Sequence, residues 1–388
     1  MTTRYHGLDA LRGISMILGI VLHATLPYIS GMEILWPADR ESSTTLRLVF
    51  EFIHIWRMPL FFLLAGFFAN LLINKKSWPS WWFNRLMRLG VPIVIFFPLL
   101  GITIPWIFEY GRTGELRFFY SNTGQPFHLW FLWHLLIFTF FTILFRPIFM
   151  LYRLIESILT KLRLRSLVDG LSHFRRIPAS IIFRTRIPLG FILLCYVVSI
   201  PTGGELILNP MLGALYFILG YSLYGNAQLL SYIKTSWIIY LVFALIFFIM
   251  YWLIITFESK KIIQDFYLKN FQLPDVSYSD ILYLIKVLFK SICGVLFSYA
   301  LIGLAESKMR HHRNWSRFIA DGSYWMYLVH LPLVTLMTFM MFNWTVPPLY
   351  KFATASIVTL IICLVTYKYF VRKSFIGILL NGRRAKKT

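Results

Sequence analysis

Long apolar runs alternate with short polar connections along the whole chain. Ten runs stand out, at roughly 8–30, 47–73, 90–108, 127–151, 187–201, 209–225, 236–257, 282–304, 317–341 and 350–371. A helix needs about 20 apolar residues to cross a hydrocarbon core about 30 Å thick, so each run is predicted as a membrane helix, with the fifth and sixth the shortest. The expected fold class is all-α, a polytopic bundle of about ten transmembrane helices forming one domain over residues 1–388. The first run carries Asp9 and Arg12 and lacks a small-residue cleavage site after it, so it is expected to stay as a helix rather than leave as a signal peptide. The longest polar connection, about 152–186, has the charge of an amphipathic segment on anionic headgroups, and 372–388 is a short basic tail.

Composition agrees with a membrane chain. Of 388 residues, 58% are hydrophobic and only 14% charged, and the mean hydropathy is +0.68. The formal charge of +22 could point to nucleic acid, but about two-thirds of Lys and Arg collect in alternate connections, on the side shared by both chain ends. That pattern places both termini in the cytoplasm and makes the basic excess a topological signal; no basic groove interleaved with aromatic residues supports a nucleic-acid partner. Cys195, Cys293 and Cys363 stand alone inside predicted spans and are expected to be packing residues.

Against this apolar background the polar residues inside the spans are costly, about 2.5–3.5 kcal/mol for a charge at the centre of a membrane helix, so they are expected to have a use. Arg12 and His23 are eleven apart, three helical turns plus about 20°, so they share one face of the first helix about 16 Å apart in depth. Arg12 could instead snorkel to the inner headgroups. Glu51, His54 and Arg57 are spaced by three in the second span, where a structural ion pair between Glu51 and Arg57 is the plain alternative. Pro59 and Gly66 in the same span would open room beside it for a ligand or a close helix contact. Counting about 1.5 Å per residue from the membrane surfaces puts His23, His54, His134 and His330 in one layer, roughly two-thirds of the way out. Any single buried histidine is more often a satisfied core residue; four at one depth, with Glu51 nearby, predict a polar reaction chamber.

No metal centre is expected, since these histidines lie singly on separate helices without HxH or HxxxH spacing. A Walker loop, a dinucleotide fingerprint and a nucleophilic-serine elbow are also missing. Proton transfer by histidine in a membrane cavity remains, and that suffices for acyl transfer from a thioester to a hydroxyl. Between the second and third spans, Lys75, Lys76, Arg85 and Arg88 form a basic cluster in which the two arginines, three apart, suit phosphate groups. Ordinary positive-inside bias would also put basic residues there.

Several stretches together resemble acyltransferase family 3, and within it the glucans biosynthesis protein C group: the first span with Arg12 and His23, "FIHIWRMPLFFLLAGFF", "WWFNRLMRLGVPI", "HLWFLWHLL" and "SYWMYLVHLP". The resemblance covers nearly the whole chain in order. It implies a ten-helix inner-membrane enzyme that moves an acyl group from cytoplasmic acyl-CoA to a carbohydrate acceptor on the outer side, succinylation of periplasmic glucan in that group. No permanently bound cofactor is implied; succinyl-CoA or acetyl-CoA serves as co-substrate. By position, Arg12 and His23 match the family's first-span pair, with His23 the candidate base. Glu51, on the second span, is separately expected to orient the acceptor hydroxyl. Arg85 and Arg88 match its paired arginines, associated with the CoA donor, and Lys75 and Lys76 adjoin them. His128, Trp130, Tyr327 and His330 match further recurring positions, to which substrate or structural roles are assigned, as to His54, Arg57 and His134. Ala65 stands where many members carry serine, and the fused hydrolase-like domain of some sugar acetyltransferases is missing. A proton-coupled transporter or flippase is the competing class, and the sequence leaves a homo-oligomer open.

Overall fold

The computed structural model describes residues 5–75, 77–117, 127–162, 164, 170, 182–268, 276–309 and 314–381. Among them there are helices and no strands. In chain order the α-helices are α1 His6–Thr25, α2 Thr44–Ile73, α3 Trp78–Thr113, α4 Trp130–Lys161, α5 Leu189–Ser199, α6 Pro210–Tyr224, α7 Ala227–Thr235, α8 Trp237–Leu268, α9 Val276–Lys308, α10 Asn314–Phe339, α11 Pro348–Thr366 and α12 Phe375–Asn381. Lys76, most of the connection between 163 and 181, and the last seven residues of the basic tail lie outside the described residues.

Each apolar run falls on a helix. Seven helical stretches are long and apolar enough to cross a membrane: His6–Tyr28, Thr44–Ile73, Trp78–Thr113, Phe127–Lys161, Trp237–Glu258, Asp280–Lys308 and Pro348–Val371. Leu189–Thr202 and Pro210–Tyr224 are apolar but shorter. Helix α10 has the length, 26 residues, but Arg317, Asp321 and His330 lower its apolar character. The chain is a polytopic helical membrane protein. Its exposed large hydrophobic side chains, such as Val94, Leu144, Leu193 and Leu253, are what lipid-facing positions require.

The chain divides into two compact units. The first comprises Met1–Phe61, Met87–Leu132 and Leu304–Thr388; the second, Phe62–Leu86 and Trp133–Gly303. In the first unit α1, α10 and α11 pack against one another. Met16, Ile20, Ala24, Met326, Val334 and Cys363 form the buried centre of that trio. Polar contacts fix its register: the Leu8 amide, one of the N–H groups that the first turn of α1 leaves over, donates to Glu306 Oε1 at 3.2 Å. Arg12 Nη2 donates to the Ala320 carbonyl at 2.9 Å, and Trp325 Nε1 donates to Thr366 Oγ1 at 3.0 Å.

In the second unit α2 and α6 cross at backbone contact. A side chain on Gly66 would stand 1.9 Å from the Phe217 carbonyl oxygen, and one on Gly220 would stand 1.8 Å from that of Leu63. Small residues at a membrane helix crossing permit this approach, and Gly66 therefore serves a close helix contact. Asn70 Nδ2 donates to the Tyr221 carbonyl at 2.7 Å beside it. The three cysteines are buried and free.

Candidate functional site

Helix α1 ends at Thr25, which puts His23 in its last turn, facing α10. The imidazoles of His23 and His330 lie 5.3 Å apart between centroids, tilted by 47°. His128 joins from the short turn Phe127–Leu129 that opens the α4 segment, with its ring 5.1 Å from His330 and nearly perpendicular to it. The turn reaches this position at the cost of a left-handed backbone: Phe127 has φ +45°, which a bulky non-glycine residue rarely adopts. Such local strain collects where the surrounding structure must fix a functional group. Tyr327, one turn before His330 on α10, donates its hydroxyl to the His128 carbonyl at 2.5 Å, so α10 holds the strained turn from the other side.

The hydrogen bonds of His330 define its tautomer. Its Nδ1 lies 3.0 Å from the Met326 carbonyl and 2.9 Å from that of Tyr327. Carbonyl oxygens only accept, so Nδ1 carries a proton, and in the neutral ring Nε2 is a lone-pair acceptor. That Nε2 is enclosed with no hydrogen-bond partner among the described residues, and the same holds for His23 Nδ1. Enclosed polar atoms without partners are uncommon in folded proteins and mark a place where something polar is handled.

A cation completes the cluster. Arg57 on α2 is 8% exposed and runs beside α1 at Gly19, one turn before His23. A Cβ built on Gly19 would come within 2.1 Å of Arg57 Nη1, so the guanidinium occupies the space that a side chain there would need. The fields of Arg57, His330, His128 and His54 all reach His23. His54 itself stacks on Phe50, 5.1 Å between centroids and 19° from parallel. Trp36, in the connection after α1, closes the cluster, with its indole 6.2 Å from the His23 ring and 15° from parallel.

The other predicted residues stand elsewhere. Arg12, about 16 Å from His23 along α1 by helical rise, is engaged with Ala320 and lies 3.8 Å from Asp9. Glu51 is half-buried on α2, about 9 Å along the axis from Arg57. Arg88 Nη2 donates to the Leu380 carbonyl at the end of α12, at 2.5 Å, while the Arg88 carbonyl accepts from Tyr324. In the second unit Arg85 lies over the Trp81 ring, 5.8 Å from its centroid. His134 belongs to that unit too, stacked 6.0 Å from Phe62. Lys75 is exposed, and Trp130 meets Phe131 edge to face at 6.5 Å. Sequence reasoning passed over Trp36 and Gly19; only the presence of a tryptophan between Met32 and Pro37 in the connection after the first span could have drawn notice to the former. Among the described residues no three His, Cys, Asp or Glu gather as a metal site would.

Chemically, the cluster offers lone-pair imidazole nitrogens that take a proton and a buried guanidinium that stabilises a developing anion. Over 100 residues the chain is 37% identical to glucans biosynthesis protein C of Escherichia coli K12, covering 26% of this chain and 25% of that protein. With the protein of the same name from Shigella dysenteriae serotype 1 it shares 33% identity over 146 residues, 35% of this chain and 37% of the relative. These matches span about a quarter to a third of the curated relatives' length. No solved structure is significantly similar to the chain. The model of the family-3 acyltransferase domain, however, matches residues 5–368, so the chain belongs to acyltransferase family 3.

Proposed function

We propose that this protein is a membrane O-acyltransferase that transfers an acyl group, succinyl or acetyl, from cytoplasmic acyl-CoA to a hydroxyl of a cell-envelope carbohydrate on the outer side. Ten of its helices are assigned to cross the inner membrane, with both termini cytoplasmic. The names of its relatives, glucans biosynthesis protein C, make a glucan the first acceptor to test. The observation that carries the proposal is the enclosed group of His23, His330 and His128 beside the buried Arg57.

In the proposed reaction His23 takes the proton of the acceptor hydroxyl as that oxygen attacks the thioester carbonyl carbon. The carbonyl electrons move to its oxygen, and Arg57 stabilises the resulting oxyanion. Collapse re-forms the carbonyl and breaks the C–S bond, and the departing thiolate takes the proton held on His23. Products are an ester and CoA thiol. His330, with its proton fixed on Nδ1, keeps a lone pair on Nε2 in the same cluster as His23, and His128 supports the ring of His330 edge-on. Arg85 and Arg88, with Lys75 and Lys76, are assigned to the phosphates of CoA, and Glu51 and Arg12 to holding α1 and α2 in place.

Replacing His23 with Ala tests the proposal. Purified wild-type protein should release CoA from acyl-CoA in the presence of a glucose oligosaccharide. The variant, folded and inserted, should lose about 10²–10⁴ of that rate, the usual worth of a general base. Full activity in the variant removes His23 as the base. A wild-type protein that neither consumes acyl-CoA nor gains thermal stability from CoA removes the acyltransferase assignment and favours a carrier.

A further inference from the structure

Between α1 and α2 the chain crosses the outer end of the first unit as a strap, Ile29–Ser43. Its second half is tied back to the turn that follows α1: the Asp39 amide donates to the Pro27 carbonyl at 2.9 Å and the Ser43 amide to that of Tyr28 at 2.8 Å. The same stretch is held by an ion pair, Asp39 Oδ2 to Lys351 Nζ at 2.8 Å, whose side chains are 0% and 3% exposed. Lys351 stands in the first turn of α11 and also reaches the Phe342 carbonyl at 3.5 Å. Ion pairs enclosed to this degree fix geometry more than they add stability.

What the strap fixes is Trp36. Its neighbours Ile34 and Leu35 are 87% and 70% exposed, whereas the indole turns inward. It lies nearly parallel to His23 and receives Phe108 edge-on at 4.8 Å, with Phe339 packed behind Phe108 at 5.7 Å. Trp36 Nε1 is enclosed with no hydrogen-bond partner among the described residues, like His23 Nδ1 beside it. Indole N–H only donates and a neutral imidazole also accepts. The two stacked rings therefore carry a donor and an acceptor within one cluster, and an enclosed donor bears its desolvation cost until an oxygen reaches it.

We propose that Trp36 is an acceptor-binding residue and that it selects hydroxyls with a second oxygen on the neighbouring carbon, as sugars have. The reacting hydroxyl donates to His23, and the neighbouring oxygen accepts from the Trp36 indole. This rests on the acyltransferase assignment above and narrows its acceptor to oxygen-rich alcohols.

The test uses the full chain in nanodiscs with saturating acetyl-CoA or succinyl-CoA. Acceptors are a linear glucose oligosaccharide and two small alcohols, tetrahydropyran-2-methanol and its carbon analogue cyclohexylmethanol. Release of CoA and formation of ester are both followed. Wild type should favour the oxygen-bearing alcohol by about three- to tenfold in kcat/KM, the worth of one net hydrogen bond. Trp36→Phe keeps an aromatic ring and removes the N–H. It should bring the two alcohols to within about twofold of each other and raise the oligosaccharide KM by about three- to tenfold, with the KM for acyl-CoA unmoved. An active wild type with no preference between the alcohols overturns the inference without any variant. So does an active Trp36→Phe with unaltered preference, and both results leave the acyltransferase assignment standing. A wild type that consumes no acyl-CoA overturns that assignment and this inference together.

Discussion

Gly19→Ala is the most direct test of the arrangement around His23, because it acts on the histidine–arginine cluster without removing any functional group. An ideal Cβ at position 19 lies 2.1 Å from Arg57 Nη1 and 3.3 Å from Arg57 Cζ. Non-bonded heavy atoms rest near 3.5 Å or beyond, so the guanidinium must withdraw by about 1.4 Å. The obstacle is the end of a flexible side chain rather than backbone, so the helix itself can accommodate the methyl group. A displacement of about 1 Å at a reacting centre costs on the order of 10²-fold in rate, or about 2.7 kcal/mol of transition-state stabilisation. Stability should change little or rise, since alanine in a helix interior is favoured over glycine by about 0.5–1 kcal/mol. The assay is CoA release by protein in nanodiscs, with thermal melting in parallel. Gly19→Ala should lose about a hundredfold in rate at an unchanged or higher melting temperature. In an Arg57→Ala background the same substitution should cost almost nothing further, because both changes act on one guanidinium. Activity within about threefold of wild type, or losses that simply add in the double variant, would refute the role given to Arg57.

Further predictions concern stability and the donor side. Lys351→Met leaves the Asp39 carboxylate enclosed without its cation and should lower stability by about 3–5 kcal/mol, read as melting temperature; replacing Asp39 with Leu as well should recover most of the loss, and an unchanged melting temperature in the single variant would count against a buried pair. Gly220→Leu drives a side chain into the Leu63 carbonyl and should abolish a monodisperse elution profile, whereas Gly225→Ala, whose Cβ would meet its nearest neighbour at an ordinary 3.6 Å, should elute like wild type. Arg85→Ala should weaken CoA binding about tenfold by losing a phosphate partner, and unchanged stabilisation by CoA would defeat that assignment. Arg88→Ala removes the bond to Leu380 and should, in addition, speed hydrogen exchange at the amides of residues 375–381.

The helices were legible because the bilayer sets their length: an apolar run of about 20 residues has few other stable fates. Helical periodicity likewise placed Arg12 and His23 on one face, since three turns return to nearly the same direction. A common depth did not decide which side chains meet: His23 and His330 come together, whereas His134, counted to the same level, lies among Phe62 and Phe138 in the second unit. His128 entered by motif resemblance alone, because a short turn with a positive φ at Phe127 leaves no periodic trace. Trp36 and the Asp39–Lys351 pair were illegible for a related reason. Connections carry no period, and two residues separated by 312 positions reveal their contact only once the chain is folded. Arg57 was visible as an intramembrane cation, but its lodging against Gly19 depends on how α1 and α2 approach.

The division of the chain into discontinuous units bears on how the protein is made. The first unit supplies His23 and Arg57 within its first 61 residues and His330 only after Leu304, with residues 62–303 translated in between. At about 5–20 residues per second, that interval lasts roughly 12–48 s. For that time α1 and α2 must wait in the bilayer with an arginine and two histidines still lacking their late-made neighbours. A premature stop codon anywhere before α10 would strand these groups in hydrocarbon, so truncated products should be prime substrates for membrane quality-control proteases.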